Sequence, residues 1–234
     1  MATCIITGAA SGIGRATAIK LSENGYYKKI ALVGRDGDRL EETKRMMSGN
    51  VDAKGFVIDL KNLGAIPQLV KGIYEEFRSI DCLLNIAGYT DPQPLLNTSI
   101  ASLKETYEIN VFAPLILSRE CVKHMKRKGG KILNVASTAG QTPRPGWISY
   151  ASSKAAIIAA SQTMTEELAE YNIQVFCVSP GRCATKLRKR LAPDEDSSTI
   201  MQPEEVADII SDLICSKYSC LDGQNIVIRK KIKR

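Results

Sequence analysis

Tyr150 and Lys154 lie four residues apart in the run Tyr150-Ala151-Ser152-Ser153-Lys154. On a helix that spacing puts both side chains on one face, one turn apart. An ammonium beside a phenol favours the phenolate, so the Tyr150 pKa is expected to fall below its free value of about 10. Such a group could give or take a proton near neutral pH. The pair alone is a weak signal, because this spacing more often decorates a solvated helix face. Its weight depends on the elements that present it and on what else they bring to the same place.

Those elements alternate between strand and helix. Thr3 to Thr7 is a short apolar run that reads as a buried parallel strand. It leads through Thr7-Gly8-Ala9-Ala10-Ser11-Gly12-Ile13-Gly14 into an amphipathic helix ending near Asn24. A glycine-rich turn between strand and helix lets backbone N–H groups approach a pyrophosphate at the positive helix end. The spacing here is G-x-x-x-G-x-G, and a tight turn without a ligand is the bland alternative. Further strands are expected at Lys29 to Val33, Ala53 to Ile58, Asp81 to Ile86, Lys131 to Ala136, Ile173 to Val178 and Asn225 to Ile228. Helices are expected between them. The long pattern from Ser102 to Lys126 contains Asn110 and Pro114, which predicts a bend or irregularity there. A helix from about Trp147 to Tyr171 carries the Tyr150/Lys154 pair, and its Ala155, Ala156, Ala159 and Ala160 suit close packing against another surface or a second subunit.

This alternation implies an α/β fold, a Rossmann-type doubly wound parallel sheet between two helix layers, in a single domain over 1–234. Ligands in such sheets bind beyond the carboxyl ends of the strands, where strand order reverses. Gly8, Arg35, Asp59, Asn85, Ser137 and Pro180 all fall at strand ends. At the second strand end an acidic residue would read an adenosine ribose hydroxyl, whereas an arginine would accommodate a 2′-phosphate. Gly34 follows the strand directly and Arg35 is next. This favours NADP(H) and leaves NAD(H) as the alternative if Asp36 takes the hydroxyl.

Bulk composition excludes several classes. The 234 residues are 44% hydrophobic and 24% charged, as expected of a soluble globular domain. No run is long and apolar enough to span a bilayer, and the start lacks the pattern of a secretory signal. Seven cysteines without a C-x-x-C pair argue against a disulfide framework and a zinc ribbon, so a cytoplasmic protein with reduced thiols and no metal is expected. The formal charge of +7 is concentrated in two places. The 229–234 tail holds Arg229, Lys230, Lys231, Lys233 and Arg234, without which 27 basic residues face 25 acidic ones. The second patch is Arg182, Lys186, Arg188, Lys189 and Arg190. Neither patch is interleaved with aromatics, so nucleic-acid binding is not expected.

Taken together, the motifs resemble the short-chain dehydrogenase/reductase family over almost the whole chain. Thr7 to Gly14 matches T-G-x-x-x-G-I-G. Asn85-Ile86-Ala87-Gly88 matches N-N-A-G except at Ile86, and Asn110, Ser137, Tyr150 and Lys154 match the family's catalytic set in order and spacing. Pro180-Gly181 and Thr185 match its nicotinamide-side turn. The resemblance implies that Tyr150 exchanges a proton with a carbonyl or alcohol oxygen held by Ser137. It implies that Lys154 lowers the Tyr150 pKa and binds the nicotinamide ribose, while Asn110 anchors a water that links Lys154 to solvent. It assigns Gly8, Ser11, Gly12, Ile13, Gly14, Asn85, Ala87 and Gly88 to the cofactor cleft and Asp59 and Leu60 to the adenine. It also implies a homodimer or homotetramer.

Substrate is less legible. The polar stretch from Arg182 to Met201 reads as a mobile segment over the site. Its Arg182, Lys186 and Arg188, with Arg144 from the preceding loop, would suit a phosphate or carboxylate. A solvated basic face, offset by Asp194, Glu195 and Asp196, is the alternative. Local likeness of Pro180 to Gln202 to pentulose-phosphate reductases suggests a phosphorylated or nucleotide-linked sugar ketone. A non-catalytic nucleotide-sensing scaffold is a further class, opposed by the intact Asn-Ser-Tyr-Lys set. A hydrolase centred on the sole histidine, His124, is disfavoured because Ser137 lacks a G-x-S-x-G elbow.

Overall fold

A computed structural model describes residues 2–216 and 219–230. Seven strands, β1 (Thr3–Thr7), β2 (Lys29–Gly34), β3 (Asp52–Val57), β4 (Cys82–Asn85), β5 (Gly130–Val135), β6 (Ile173–Pro180) and β7 (Asn225–Ile228), form one sheet in the order β3-β2-β1-β4-β5-β6-β7. Every adjacent pair is parallel. The chain winds outward from β1 through β2 to β3, then returns to place β4 on the other side of β1. That reversal opens a crevice between the carboxyl ends of β1 and β4.

Both faces of the sheet are covered, which is why its central strands β1 and β4 are buried throughout and carry continuous apolar runs, Cys4 to Ile6 and Cys82 to Leu84, rather than alternating. On one face α1 (Gly12–Asn24), α2 (Gly37–Met46) and α8 (Pro203–Cys215) bury Ala18, Leu21, Leu40, Val206 and Ile210 against Ile6, Leu32 and Leu84. On the other, α3 (Ile66–Phe77), α5 (Ala113–Met125) and α6 (Ile148–Leu168) bury Val70, Phe77, Leu117, Met125 and Leu168 against Ile5, Leu83 and Ile132. Full burial of such side chains contributes roughly 1.5–3 kcal/mol each. The result is the expected three-layer, Rossmann-type architecture in one domain.

Element ends follow local chemistry. Asp36, Ser99 and Thr185 accept from backbone N–H groups at the starts of α2, α4 (Ile100–Tyr107) and α7 (Lys186–Leu191), and Gln202 and Glu205 form a capping box on α8. The single helix expected from Ser102 to Lys126 is interrupted. Between α4 and α5 the turn Glu108–Phe112 is a π-helix, and the Ala113 N–H reaches back to the Glu108 carbonyl. Pro114 explains it: without an N–H it cannot bond the Asn110 carbonyl as an α-helix would require.

The 182–202 segment has more internal structure than its composition suggested. It contains α7 and a short parallel bridge from Cys183 to Met201. Of the basic tail, Arg229 and Lys230 are among the described residues; Lys231, Lys233 and Arg234 lie outside them.

Candidate active site

A cavity of about 510 Å³ opens beyond the carboxyl ends of β1, β4, β5 and β6, and Gly8, Ala87, Ser137, Tyr150, Lys154 and Gly181 line it. α6 carries Tyr150 and Lys154 into its wall, both nearly buried. The turn Thr138–Gly140 after β5 is pressed against α6: a Cβ on Gly140 would stand 2.7 Å from the Lys154 carbonyl carbon. That close approach fixes Ser137, at the head of the turn, relative to the helix. The Ser137 hydroxyl accepts from the Ala139 N–H at 3.1 Å.

Electrostatics differ from the expectation in one respect. Lys154 donates from Nζ to the Val135 carbonyl at 2.7 Å, and Nζ lies 5.8 Å from the Tyr150 ring centroid. The phenol therefore feels burial more than it feels the ammonium. Its pKa is raised by desolvation, partly offset by a hydrogen bond with Ser137 and by the charge of Arg188. Burial also brings Lys154 down to about 8. The expected fall in the Tyr150 pKa is thus corrected for this arrangement, because the lysine charge is satisfied at a backbone carbonyl rather than at the phenol.

Asn110 sits behind the pair at the π-helix. Its Oδ1 accepts from the Tyr89 N–H at 2.8 Å, and its Nδ2 donates to the Tyr89 carbonyl at 2.9 Å and to Ser153 Oγ at 3.0 Å. The side chain is fully occupied in tying the Gly88–Tyr89 turn to α6. The Asn110 carbonyl lacks the α-helical donor that Pro114 cannot supply.

At the glycine-rich end, Gly8 has φ +70, and a Cβ on Gly14 would meet the Gly8 carbonyl oxygen at 2.3 Å. The start of α1 is drawn tightly onto the β1 turn as a result. Among the helices that open on strand ends, α1 has no side-chain cap at Ser11, whereas Asp36 caps α2. Uncapped N–H groups at a positive helix end beside a cavity fit a pyrophosphate. Thr7 Oγ1 accepts from the N–H groups of both Ile86 and Ala87, which pins the neighbouring turn to the same edge. These features fit a dinucleotide held along Gly8, Ser11, Gly12, Ile13, Gly14, Ala87 and Gly88.

Other expected cofactor residues do not line the cavity. Asn85 is buried and donates to Asn134 Oδ1, its register partner on β5, at 2.9 Å. Strand alternation turns it toward the helix layer, where it serves the sheet and not the cleft. Leu60 lies in the core with Ile66, and Asp59 accepts from the Lys61 N–H in a turn. Arg35 is exposed at the β2 end, outside the cavity lining. Pro180, Gly181 and Thr185 do line it, as do Arg144, Arg182, Lys186 and Arg188. His124 stacks on Tyr74 instead, at 4.1 Å between centroids. Several lining residues had no assigned role from sequence, Trp147 and Glu195 among them. Trp147 precedes Tyr150 by less than one helical turn, and Glu195 had been counted only as an offset to nearby cations.

Residues 2–196 match the family model described as short chain dehydrogenase. The chain belongs to the short-chain dehydrogenase family. Members of this family are NAD(P)-dependent oxidoreductases, and so is this chain. It is 31% identical to a 3-oxoacyl-[acyl-carrier-protein] reductase of Thermotoga maritima, covering 96% of this chain and 95% of that one. It is 30% identical to the 2,3-dihydro-2,3-dihydroxybenzoate dehydrogenase of Bacillus subtilis, over 95% and 92% of the two chains. Among solved structures, an NAD+-bound xylitol dehydrogenase superposes with a TM-score of 0.86 at 27% identity, over 97% of both chains. A Burkholderia cenocepacia short chain dehydrogenase in complex with NADP shares the fold, with a TM-score of 0.87 at 23% identity over 97% and 95% of the chains. Short-chain dehydrogenases of similar fold are thus found with either nicotinamide cofactor.

Proposed function

We propose that this short-chain dehydrogenase uses NADP(H) to interconvert a carbonyl and a secondary alcohol, on a small substrate that carries an anionic group. The observation that carries the reading is the placement of Tyr150, Ser137 and Lys154 in one cavity at the crevice of the sheet. The bound nicotinamide supplies or takes up the hydride.

The chain's own residues do the rest. Ser137 donates to the substrate oxygen and stabilises negative charge as it develops there. The Tyr150 hydroxyl protonates the same oxygen in reduction and removes its proton in oxidation. A phenol with a raised pKa is neutral and ready as an acid, which suits reduction. For the reverse direction Lys154 would turn from the Val135 carbonyl toward the phenol and favour the phenolate. A water on the Asn110 carbonyl would connect Lys154 to solvent.

NADP(H) is favoured by Arg35 at the β2 end and by the commitment of Asp36 elsewhere. Asp36 accepts from the Arg39 N–H at 3.1 Å and pairs with the Arg39 guanidinium at 3.3 Å, so its carboxylate is engaged with α2. The anionic substrate is supported by the cavity mouth, where the lining includes Arg144, Arg182, Lys186 and Arg188 against the single carboxylate Glu195. A phosphorylated or nucleotide-linked sugar ketone meets that requirement. NAD(H) is the second reading, motivated by the NAD+-bound xylitol dehydrogenase. A homodimer or homotetramer is part of the proposal, supported by the exposed Phe112, Ile148, Ala155 and Ala159 on neighbouring elements. Cytoplasmic location is supported by seven free cysteines.

The deciding experiment is a turnover screen of ketones, ketoses and sugar phosphates with NADPH and NADH, using Tyr150→Phe as the blank. Reduction of anionic ketones that disappears in the blank is expected. Turnover that survives loss of the hydroxyl overturns the mechanism, and equal rates on phosphorylated and neutral ketones remove the anionic substrate.

A further inference from the structure

The four cations at the cavity mouth are not equivalent. Among the described residues Arg144 and Lys186 make no ion pair, whereas Arg188 and Arg182 converge on Glu195. Arg188 grips Glu195 side-on: Nε to Oε2 at 2.5 Å and Nη2 to Oε1 at 2.7 Å. Arg182 Nη1 approaches the same Oε1 at 3.3 Å, outside the range of a strong charge-assisted bond. Glu195 and Arg188 are both mostly buried, at 15% and 18% side-chain exposure, while Arg182 is exposed at 44%.

Arg188 is also fixed from the other side. Its guanidinium lies 5.6 Å from the centroid of the Trp147 ring, and that ring meets the Tyr150 ring edge-on at 6.4 Å. A continuous row of contacts thus runs from the reacting phenol through Trp147 and Arg188 to Glu195 and Arg182. The backbone beneath is anchored: Thr185 Oγ1 caps α7 at the Arg188 N–H, and the Ala184 N–H bonds the Met201 carbonyl at 2.8 Å.

From this row we infer that Arg188 is the receptor for the substrate's anionic group and that Glu195 is its resident surrogate, displaced when substrate binds. Two oxygens of a carboxylate or phosphate monoester match the guanidinium edge that Glu195 now covers. Glu195 has a second cation ready, because Arg182 already touches the oxygen it would keep. The exchange leaves no charge unpaired: substrate anion on Arg188, Glu195 on Arg182. Without substrate, Glu195 keeps a buried guanidinium satisfied beside Tyr150, where an unpaired charge would be costly. The cost is affinity, since only the fraction of molecules with Arg188 released can bind. A neutral substrate gains nothing from that release, so the pair also selects against it.

This inference rests on the proposed anionic substrate, but it can be tested without turnover. Trp147 is the only tryptophan of the chain, so its fluorescence reports on the guanidinium beside it. The holoenzyme, saturated with NADP+ so that the pyrophosphate region is filled, is titrated with inorganic phosphate, with acetate and with neutral glycerol. A saturable change with one or both anions and none with glycerol is expected, and the two anion arms separate a phosphate from a carboxylate preference. In Glu195→Gln the midpoint should move to about fivefold lower anion concentration or less. In Arg188→Met the saturable change should vanish.

A midpoint unchanged or raised in Glu195→Gln would show that Glu195 helps to build the receptor rather than to occlude it, and overturns the inference. An anion response that persists in Arg188→Met places the site elsewhere and does the same. If Glu195→Gln does not fold, the wild-type comparison of anions with glycerol still decides, since no response to either anion is incompatible with a displaceable surrogate. Failure of the turnover screen with an intact fluorescence response would sink the proposed reaction and leave the anion receptor standing.

Discussion

Lys154 Nζ donates to the Val135 carbonyl at 2.7 Å and stands 5.8 Å from the centroid of the Tyr150 ring. The lysine is buried beneath the cavity with its charge on a single backbone partner. Burial lowers its pKa from 10.5 to about 8, so at neutral pH the fold carries an ammonium that it disfavours. The corresponding cost is about 3 kcal/mol at ~1.4 kcal/mol per pKa unit.

The folded-state pKa lies below the unfolded one, so between about 8 and 10.5 the unfolded chain binds more protons and stability rises with pH. Below that window both states are charged and the penalty is constant. Lys154→Met should therefore raise Tm at neutral pH by about 3–6 °C, after the loss of one hydrogen bond, with the gain shrinking toward the alkaline end. Activity should be lost at the same time. Thermal melts across pH check this; a lower Tm for the methionine variant at neutral pH would show that the Val135 bond outweighs the buried charge.

Asn110 offers a separate test of how the site is held. Its amide makes three hydrogen bonds, two to Tyr89 and one to Ser153, and is buried. Asn110→Leu leaves the Tyr89 N–H and carbonyl without partners and should destabilise by about 2–4 kcal/mol. Asn110→Asp retains the acceptor for the Tyr89 N–H but loses both donors, so an intermediate loss is expected. If the residue positions the π-turn whose carbonyl serves Lys154, the aspartate variant should also show a displaced pH profile for kcat. Reduced stability with an unshifted profile would confine Asn110 to a structural role.

Much of this arrangement was legible before the structure. The alternation of apolar strands with amphipathic helices specifies the layers, because a strand buried on both faces reads as a continuous apolar run, as Cys82 to Leu84 does. Pro114 forecast the irregular turn at Asn110, since a missing N–H is a covalent fact. Side-chain direction was less legible. Asn85 sits at a strand end but points into the helix layer, and only the pairing with Asn134 decides that. The direction of the Lys154 ammonium and the pairing of Arg188 with Glu195 depend on tertiary distances that no spacing encodes. A formal count of charges at the mouth could not tell a free arginine from one already held.

Arg35 tests the cofactor preference. It stands exposed at the carboxyl end of β2, and among the described residues it has no ion-pair partner. Asp36 is spent on the α2 cap and on Arg39. The free guanidinium can take a 2′-phosphate through charge-assisted bonds worth roughly 1.5–3 kcal/mol. Arg35→Ala should therefore raise KM for NADPH by about 10–100-fold and leave KM for NADH within about twofold. Asp36→Asn should neither improve nor impair NADH, because its carboxylate is engaged at Arg39, and it should cost well under ~1 kcal/mol in stability, since asparagine caps a helix about as well as aspartate. Steady-state kinetics with both cofactors, beside melts of each variant, separate the two roles. Equal damage to both cofactors from Arg35→Ala would assign the arginine to the fold, and a NADH requirement that weakens in Asp36→Asn would assign the ribose to the aspartate and the enzyme to NAD(H).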